Sequence, residues 1–208
     1  MKNVMIFGDS YSTFEGNIPE GYVTYYPSLD VQAVEDTWWK IFVAKTNVNL
    51  VLNNSWSGST VCYTGWEGID CSKTSSFIYR YRQLKKEGFF EKNAIDTIII
   101  FGATNDSWSD APLGEGGKDA YEEKDLYNVF PAIEHFASSL KADLPNVSVV
   151  FIINTGIKSE VQDAIERAAA KYGLNSIRLA EVDKEEGHPT KQGMLQIAEQ
   201  LAEDLKNL

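Results

Sequence analysis

The sequence is poor in cysteine, in histidine and in long apolar runs. Its two cysteines, Cys62 and Cys71, are too few for a disulfide framework and lack the spacing of a zinc site. The sequence leaves undecided whether these two cysteines form a single disulfide bond. No apolar stretch approaches the roughly 18 residues of a membrane span, and the first eight residues contain no signal-peptide core. We therefore expect no membrane span and no metal site, in a chain that is cytoplasmic or a mature exported form without its leader.

Positive charge is also scarce. Nineteen lysines and arginines stand against 30 aspartates and glutamates, which gives a formal net charge of −11. Because the electrostatic field of a negatively charged protein repels polyanions, we expect no nucleic-acid partner. With 208 residues, 43% hydrophobic and 24% charged, the composition is that of an ordinary globular protein, and the length predicts one domain over residues 1–208.

Short apolar runs alternate with amphipathic stretches along the whole chain. The runs predict buried strands at Asn3–Phe7, Asn49–Leu52, Thr97–Phe101, Ser148–Ile153 and Ser176–Leu179. The amphipathic stretches predict helices at Thr37–Lys45, Ser75–Lys86, Leu126–Lys141, Ser159–Tyr172 and Thr190–Leu205. This alternation predicts an α/β fold, a three-layer α/β/α sandwich around a five-stranded, mainly parallel sheet.

Ligands of such sheets bind outside the carboxyl ends of the strands, so the residues that follow each strand are the functional candidates. Two long segments, Tyr11–Asp36 and Ser107–Lys118, interrupt the alternation and contain several aromatic residues. Loops of this length in a compact domain usually have a function. We interpret them as walls of a binding site.

Ser10 is the candidate nucleophile, because it directly follows the first predicted strand in Gly8-Asp9-Ser10. A serine hydroxyl needs an imidazole to take its proton. Of the two histidines, His135 lies within a predicted helix, where a packing role is expected. His188 lies in a Gly-His-Pro turn at the predicted start of the last helix, which indicates a histidine held in position.

Four sequence blocks stand out along the chain. They are Phe7-Gly8-Asp9-Ser10-Tyr11-Ser12, Asn54-Ser55-Trp56-Ser57-Gly58-Ser59-Thr60, Gly102-Ala103-Thr104-Asn105-Asp106 and His188-Pro189. In this order they resemble the blocks of the GDSL family, also called SGNH hydrolases. Each block alone is a weak signal, because Gly58 fits an ordinary turn and Asn105-Asp106 fits a helix cap. Together they span essentially the whole chain. The resemblance implies a flavodoxin-like SGNH hydrolase fold.

The resemblance also implies roles for these residues. Ser10 would be the nucleophile and His188 its base, and the main-chain amides of Ser10 and Gly58 with the Asn105 side chain would form the oxyanion hole. The family places an aspartate three residues before the histidine, where this sequence has Glu185. Glu185 is therefore the first candidate for the acid, Asp183 is the second, and a Ser-His dyad without a carboxylate is the third possibility.

The expected function is hydrolysis of a small soluble ester, with O-acetylated carbohydrates as the favoured class, through an acyl-enzyme on Ser10. The sequence contains no dinucleotide fingerprint, Walker motif or Gly-x-Ser-x-Gly elbow, and we expect no cofactor. The competing hypothesis is a non-catalytic module that binds a small ligand in the same pocket. The main support for this hypothesis is that Glu185 stands where the family has an aspartate. The sequence does not indicate the oligomeric state.

Overall fold

The computed structural model describes residues 1–205. The last three residues of the predicted domain, 206–208, lie outside the described part. Its centre is a sheet of five strands, β1 (Asn3–Gly8), β2 (Asn49–Ser55), β3 (Thr97–Phe101), β4 (Ser148–Ile153) and β5 (Asn175–Arg178). The strand order is β2-β1-β3-β4-β5, and all four pairings are parallel. This is the order of flavodoxin-like sheets, and it confirms the predicted fold class.

Seven helices accompany the sheet in the described residues. They are α1 (Trp38–Thr46), α2 (Phe77–Lys86), α3 (Phe89–Lys92), α4 (Thr104–Trp108), α5 (Val129–Asp143), α6 (Ser159–Tyr172) and α7 (Lys191–Asp204). No helix in this part of the chain combines the length and the apolar character that crossing a membrane requires.

Both faces of the sheet are covered. Val4 and Ile6 of β1 belong to an apolar cluster with residues of α1 and α7. Met5 and Phe7 belong to a second cluster with residues of α2, α5 and α6. Because successive side chains of a strand point to opposite faces, a strand covered on both sides must be apolar throughout. This explains the continuous apolar runs of β1, β3 and β4.

The sheet edges depart from this pattern. We predicted that β5 is buried, but only Ile177 of its four residues is buried, because the strand has a single neighbour. The predicted helix from Leu126 begins at Val129 instead. A start at Leu126 would place Pro131 beyond the first turn, where its ring and its missing N–H oppose the helix. Cys62 and Cys71 are free and buried, so the disulfide that the sequence left open is absent.

A small hairpin before α7 was not predicted. It consists of β6 (Lys184–Glu185) and β7 (His188–Pro189), in which Glu185 pairs with His188. Glu186 and Gly187 form its turn with φ of 49° and 78°. His188 therefore lies on a strand and not at a helix start, and α7 begins at Lys191.

Candidate active site

The carboxyl ends of three neighbouring strands meet at one edge of the sheet. Gly8 at the end of β1 pairs with Ser55 of β2 and with Phe101 of β3. The segments that continue from these strands carry Ser10, Gly58 and Asn105. The parallel register therefore brings three of the predicted site residues to one edge, at the point where the strand order reverses.

The chain turns sharply at Ser10, which begins a 3-10 turn over Ser10–Ser12. The Asp9 carboxylate caps this turn by accepting a hydrogen bond from the main-chain amide two residues on, at 3.1 Å. Gly8 is required for space, because a Cβ there would lie 2.4 Å from Ser55 Oγ. Ser10 is only 3% exposed. The turn thus holds the Ser10 hydroxyl in a sheltered position at the sheet edge.

His188 reaches Ser10 across 178 positions of sequence. Its Nε2 lies 3.1 Å from Ser10 Oγ, and its Nδ1 lies 3.2 Å from the main-chain oxygen of Glu186. A carbonyl oxygen only accepts, so Nδ1 carries the proton and Nε2 of the neutral ring is the acceptor. The Ser10 hydroxyl therefore donates to His188, which is the arrangement that proton transfer from a serine requires.

Aromatic rings surround the imidazole. Tyr25 stacks on His188 with a centroid separation of 3.7 Å and an interplanar angle of 8°. Tyr11 and Trp108 contact the ring at centroid distances of 5.5 and 5.9 Å. Burial lowers the pKa of His188, and the positive charge of Lys184 lowers it further. Both long segments thus contribute walls around the base. The lowered pKa favours the neutral form of the ring.

Tyrosine hydroxyls fasten the hairpin to the first long segment. Tyr26 donates to the main-chain oxygen of Pro189 at 2.7 Å, and Tyr11 donates to that of Gly187. Lys184 donates to the Thr155 oxygen at 2.7 Å, in the segment that follows β4. Since these bonds flank His188 in sequence, they hold the imidazole against Ser10.

The carboxylates before His188 point elsewhere. Glu185 is exposed, and within residues 1–205 its carboxylate has no hydrogen bond or ion pair. Asp183 accepts a hydrogen bond from the Thr190 hydroxyl at the start of α7. The structure therefore brings neither candidate acid into a bond with His188, and a main-chain carbonyl occupies that position.

The predicted oxyanion donors have well-defined surroundings. Gly58 has φ of +78°, a conformation that favours glycine, while a Cβ there would meet open space. Its positive φ is therefore the feature of the structure that requires glycine here. Asn105 donates from Nδ2 to the Ser59 oxygen at 3.0 Å, and its Oδ1 accepts from Trp66 Nε1 at 3.1 Å. Since Trp66 only donates and the carbonyl only accepts, these partners fix the amide orientation. Among residues 1–205 the second Nδ2 hydrogen has no acceptor.

Sequence reasoning gave no role in the site to two buried charged residues, Arg80 and Asp106, although Asp106 belongs to one of the four blocks. Asp106 accepts hydrogen bonds from the main-chain amides of Val61 and Cys62, at 2.8 and 3.0 Å, and so ties the loop after Gly58 to α4. Arg80 lies on the apolar face of α2 and is 1% exposed. A charge within an apolar helical stripe was the available signal for Arg80.

The model of the GDSL-like lipase/acylhydrolase family matches residues 2–205. The chain belongs to this family. The predicted family is therefore confirmed, and the family is one of ester-hydrolysing enzymes. No curated protein matches the chain in sequence.

Solved structures agree with this family. A GDSL-like lipase from Bacteroides uniformis is 39% identical with a TM-score of 0.91, covering 100% of this chain and 96% of that one. One from Bacteroides ovatus is 36% identical with a TM-score of 0.91, covering 100% and 99%. A family two carbohydrate esterase from Clostridium thermocellum, in complex with cellohexaose, is 15% identical with a TM-score of 0.66, covering 99% and 64%. At that identity the likeness concerns the fold alone.

Proposed function

We propose that this GDSL-family chain hydrolyses small carboxylic esters through an acyl-enzyme on Ser10. The observation that carries the proposal is the 3.1 Å approach of His188 Nε2 to Ser10 Oγ, with Nδ1 held by the Glu186 carbonyl. That pair of contacts selects the tautomer in which His188 can accept the serine proton. The roles given to Gly58 and Asn105 rest on their places at the same sheet edge.

Acylation begins when Ser10 Oγ attacks the ester carbonyl carbon and His188 Nε2 takes its proton. The carbonyl oxygen becomes negatively charged and accepts hydrogen bonds from the Ser10 and Gly58 amides and from Asn105 Nδ2. When the carbon–oxygen bond to the alcohol breaks, His188 returns the proton to the leaving oxygen. The products of this half-reaction are the free alcohol and an ester on Ser10.

Deacylation repeats these steps with water. The water oxygen attacks the acyl carbon while His188 accepts a proton from the water molecule. The same donors stabilise the second tetrahedral intermediate. Collapse breaks the bond to Ser10 Oγ, which regains its proton from His188. The carboxylic acid leaves and the enzyme is restored.

Aromatic side chains at the rim favour an O-acetylated carbohydrate as the substrate class. Tyr22 lies on Trp56 with a centroid distance of 4.3 Å, and Trp66 is 43% exposed beside Asn105. Tyr22 and Trp56 are half-buried, and such partly exposed rings with polar tips suit sugar rings, which present both apolar faces and hydroxyl groups. The surplus of negative charge on the chain also disfavours an anionic lipid surface as the substrate.

A fluorophosphonate probe tests the proposal directly. We expect covalent labelling of Ser10, located by peptide mass spectrometry, together with turnover of p-nitrophenyl acetate. A panel of acetylated sugars and longer-chain esters then ranks substrates by kcat/KM, with acetyl esters expected to be favoured. A folded protein that neither labels nor turns over any ester would instead support the non-catalytic binding module.

The acid position yields a prediction of small effect. Glu185→Gln is expected to change kcat by less than about threefold, because a side-chain substitution does not remove the Glu186 main-chain acceptor of Nδ1. Asp183→Asn serves as the matched variant and should likewise keep kcat, with some loss of stability at the α7 cap. A drop of about 10³-fold in one variant alone would assign that carboxylate the orienting role.

The pH profile yields a second prediction. Only neutral His188 accepts the serine proton, and its lowered pKa keeps it neutral to a lower pH than free imidazole. The acidic limb of kcat/KM should therefore have its midpoint below 6.5, the ordinary histidine value. Lys184→Gln removes a neighbouring positive charge, so its limb should move up toward 6.5. A wild-type midpoint above 6.5, or a limb that Lys184→Gln moves downward, would contradict this account.

A further inference from the structure

A single buried side chain joins the loops that surround Ser10. The Arg80 guanidinium offers five N–H groups, and five acceptors surround it. Nε donates to the Ser75 oxygen at 2.9 Å, and Nη1 donates to the Asn54 main-chain oxygen and to Asn54 Oδ1. Nη2 donates to the Gly8 oxygen at 3.2 Å and to Ser59 Oγ at 3.1 Å. Its hydrogen-bonding capacity is therefore fully used, by one oxygen just before α2 and by four at or after the ends of β1 and β2.

The two acceptors of Nη2 flank the proposed oxyanion donors. Gly8 lies two residues before the Ser10 amide, and Ser59 directly follows Gly58. The main-chain oxygen of Ser59 also accepts the hydrogen bond from Asn105 Nδ2. One guanidinium nitrogen and one serine thus connect the segments that carry all three donors.

No carboxylate in residues 1–205 accepts a hydrogen bond from Arg80, whose acceptors are carbonyl and hydroxyl oxygens. Phe77 covers one side of it, with the guanidinium carbon 4.4 Å from the ring centroid. Burial lowers the pKa of Arg80 to about 9. Burying a cation whose hydrogen-bond partners are all neutral is costly for the fold, and the nearby Asp9 carboxyl offsets only part of that cost. The burial of Arg80 has a functional reason if its positive charge lies near a site where negative charge develops during the reaction.

We propose that Arg80 is a positioning residue for the oxyanion hole, setting the spacing between the Ser10 amide, the Gly58 amide and Asn105 through Gly8 and Ser59. The inference rests on the proposed esterase function. It adds a residue that belongs to none of the four sequence blocks and does not touch the substrate.

Two variants test this role. Arg80→Lys keeps the charge but offers three donors in place of five, and Ser59→Ala removes one acceptor of Nη2 while keeping the Ser59 carbonyl. We expect kcat to fall about 10- to 50-fold in Arg80→Lys and about 5- to 10-fold in Ser59→Ala, with KM within about threefold of wild type, because the oxyanion donors that Arg80 positions act in the transition state. Arg82→Met is the matched control, since Arg82 lies on the same helix and pairs with Glu123 at the surface. Its kcat should be unchanged.

Active sites are counted by end-point fluorophosphonate labelling, so that kcat refers to folded enzyme. If Arg80→Lys does not fold, Ser59→Ala decides the question alone. Unchanged kcat per labelled site in the folded variants, or an effect on KM only, would overturn the positioning role while leaving the esterase standing. A wild-type protein without labelling or turnover would overturn the proposed function and this inference together.

Discussion

Ser10→Ala is expected to lower kcat by about 10⁴-fold or more while leaving the fold intact. Ser10 Oγ is the hydroxyl that lies within hydrogen-bonding distance of His188 Nε2, and no acyl-enzyme forms without it. The substitution removes one oxygen from a small side chain, and it leaves in place the hydrogen bond from the Tyr11 main-chain amide to the Asp9 side chain that caps the turn. The loss should therefore be chemical and not structural.

Ser12→Ala is the matched control for this variant. Ser12 closes the same turn, but its hydroxyl accepts a hydrogen bond from Trp38 Nε1 at 3.1 Å. We expect kcat within about threefold of wild type and a stability loss of about 1 kcal/mol, from the unpaired Trp38 donor. Circular dichroism checks both folds, and kcat is measured with p-nitrophenyl acetate. More than a tenth of wild-type kcat in Ser10→Ala, or labelling of Ser10→Ala at another residue, would refute the assignment of the nucleophile.

The sheet could be predicted because its cause is local. Runs such as Thr97–Phe101 are apolar at every position, and a strand with that pattern is stable only between two covered faces. The strand order depends on pairing between distant segments, which no local pattern records. The edge position of β5 was missed for this reason, since a short run around Ile177 looks the same at an edge as at the centre.

The candidate site could also be predicted only in part. Ser10, Gly58, Asn105 and His188 follow strands or turns, so their types and order carried information. The partner of His188 Nδ1 is a main-chain oxygen of Glu186, and every residue has one. No sequence pattern distinguishes that carbonyl from its neighbours, and attention therefore went to the carboxylates beside it. The turn at Glu186 and Gly187 is what aims the carbonyl, through two positive φ values that are visible only in the structure.

Asn105→Ala is expected to lower kcat by about 10²- to 10³-fold with KM within about threefold of wild type. One Nδ2 hydrogen is bound to the Ser59 oxygen, and the other is free to meet the oxyanion. Because that charge is present mainly in the transition state, its stabilisation should appear in kcat and not in substrate binding. Asn105→Asp should lose at least as much, since a carboxylate would repel the same charge.

Trp66→Phe separates the donor from its support. It removes the hydrogen bond from Trp66 Nε1 to Asn105 Oδ1 and keeps the Nδ2 group and its bond to Ser59. We expect a kcat loss of about tenfold or less, since the amide is held by one bond in place of two. Measurement of kcat and KM for the three variants, with fluorophosphonate titration of active sites, distinguishes the roles. If Asn105→Ala changes KM alone, Asn105 binds the ground state. If Trp66→Phe loses as much kcat as Asn105→Ala, the loss reflects the position of the loop, and the amide is not the third oxyanion donor.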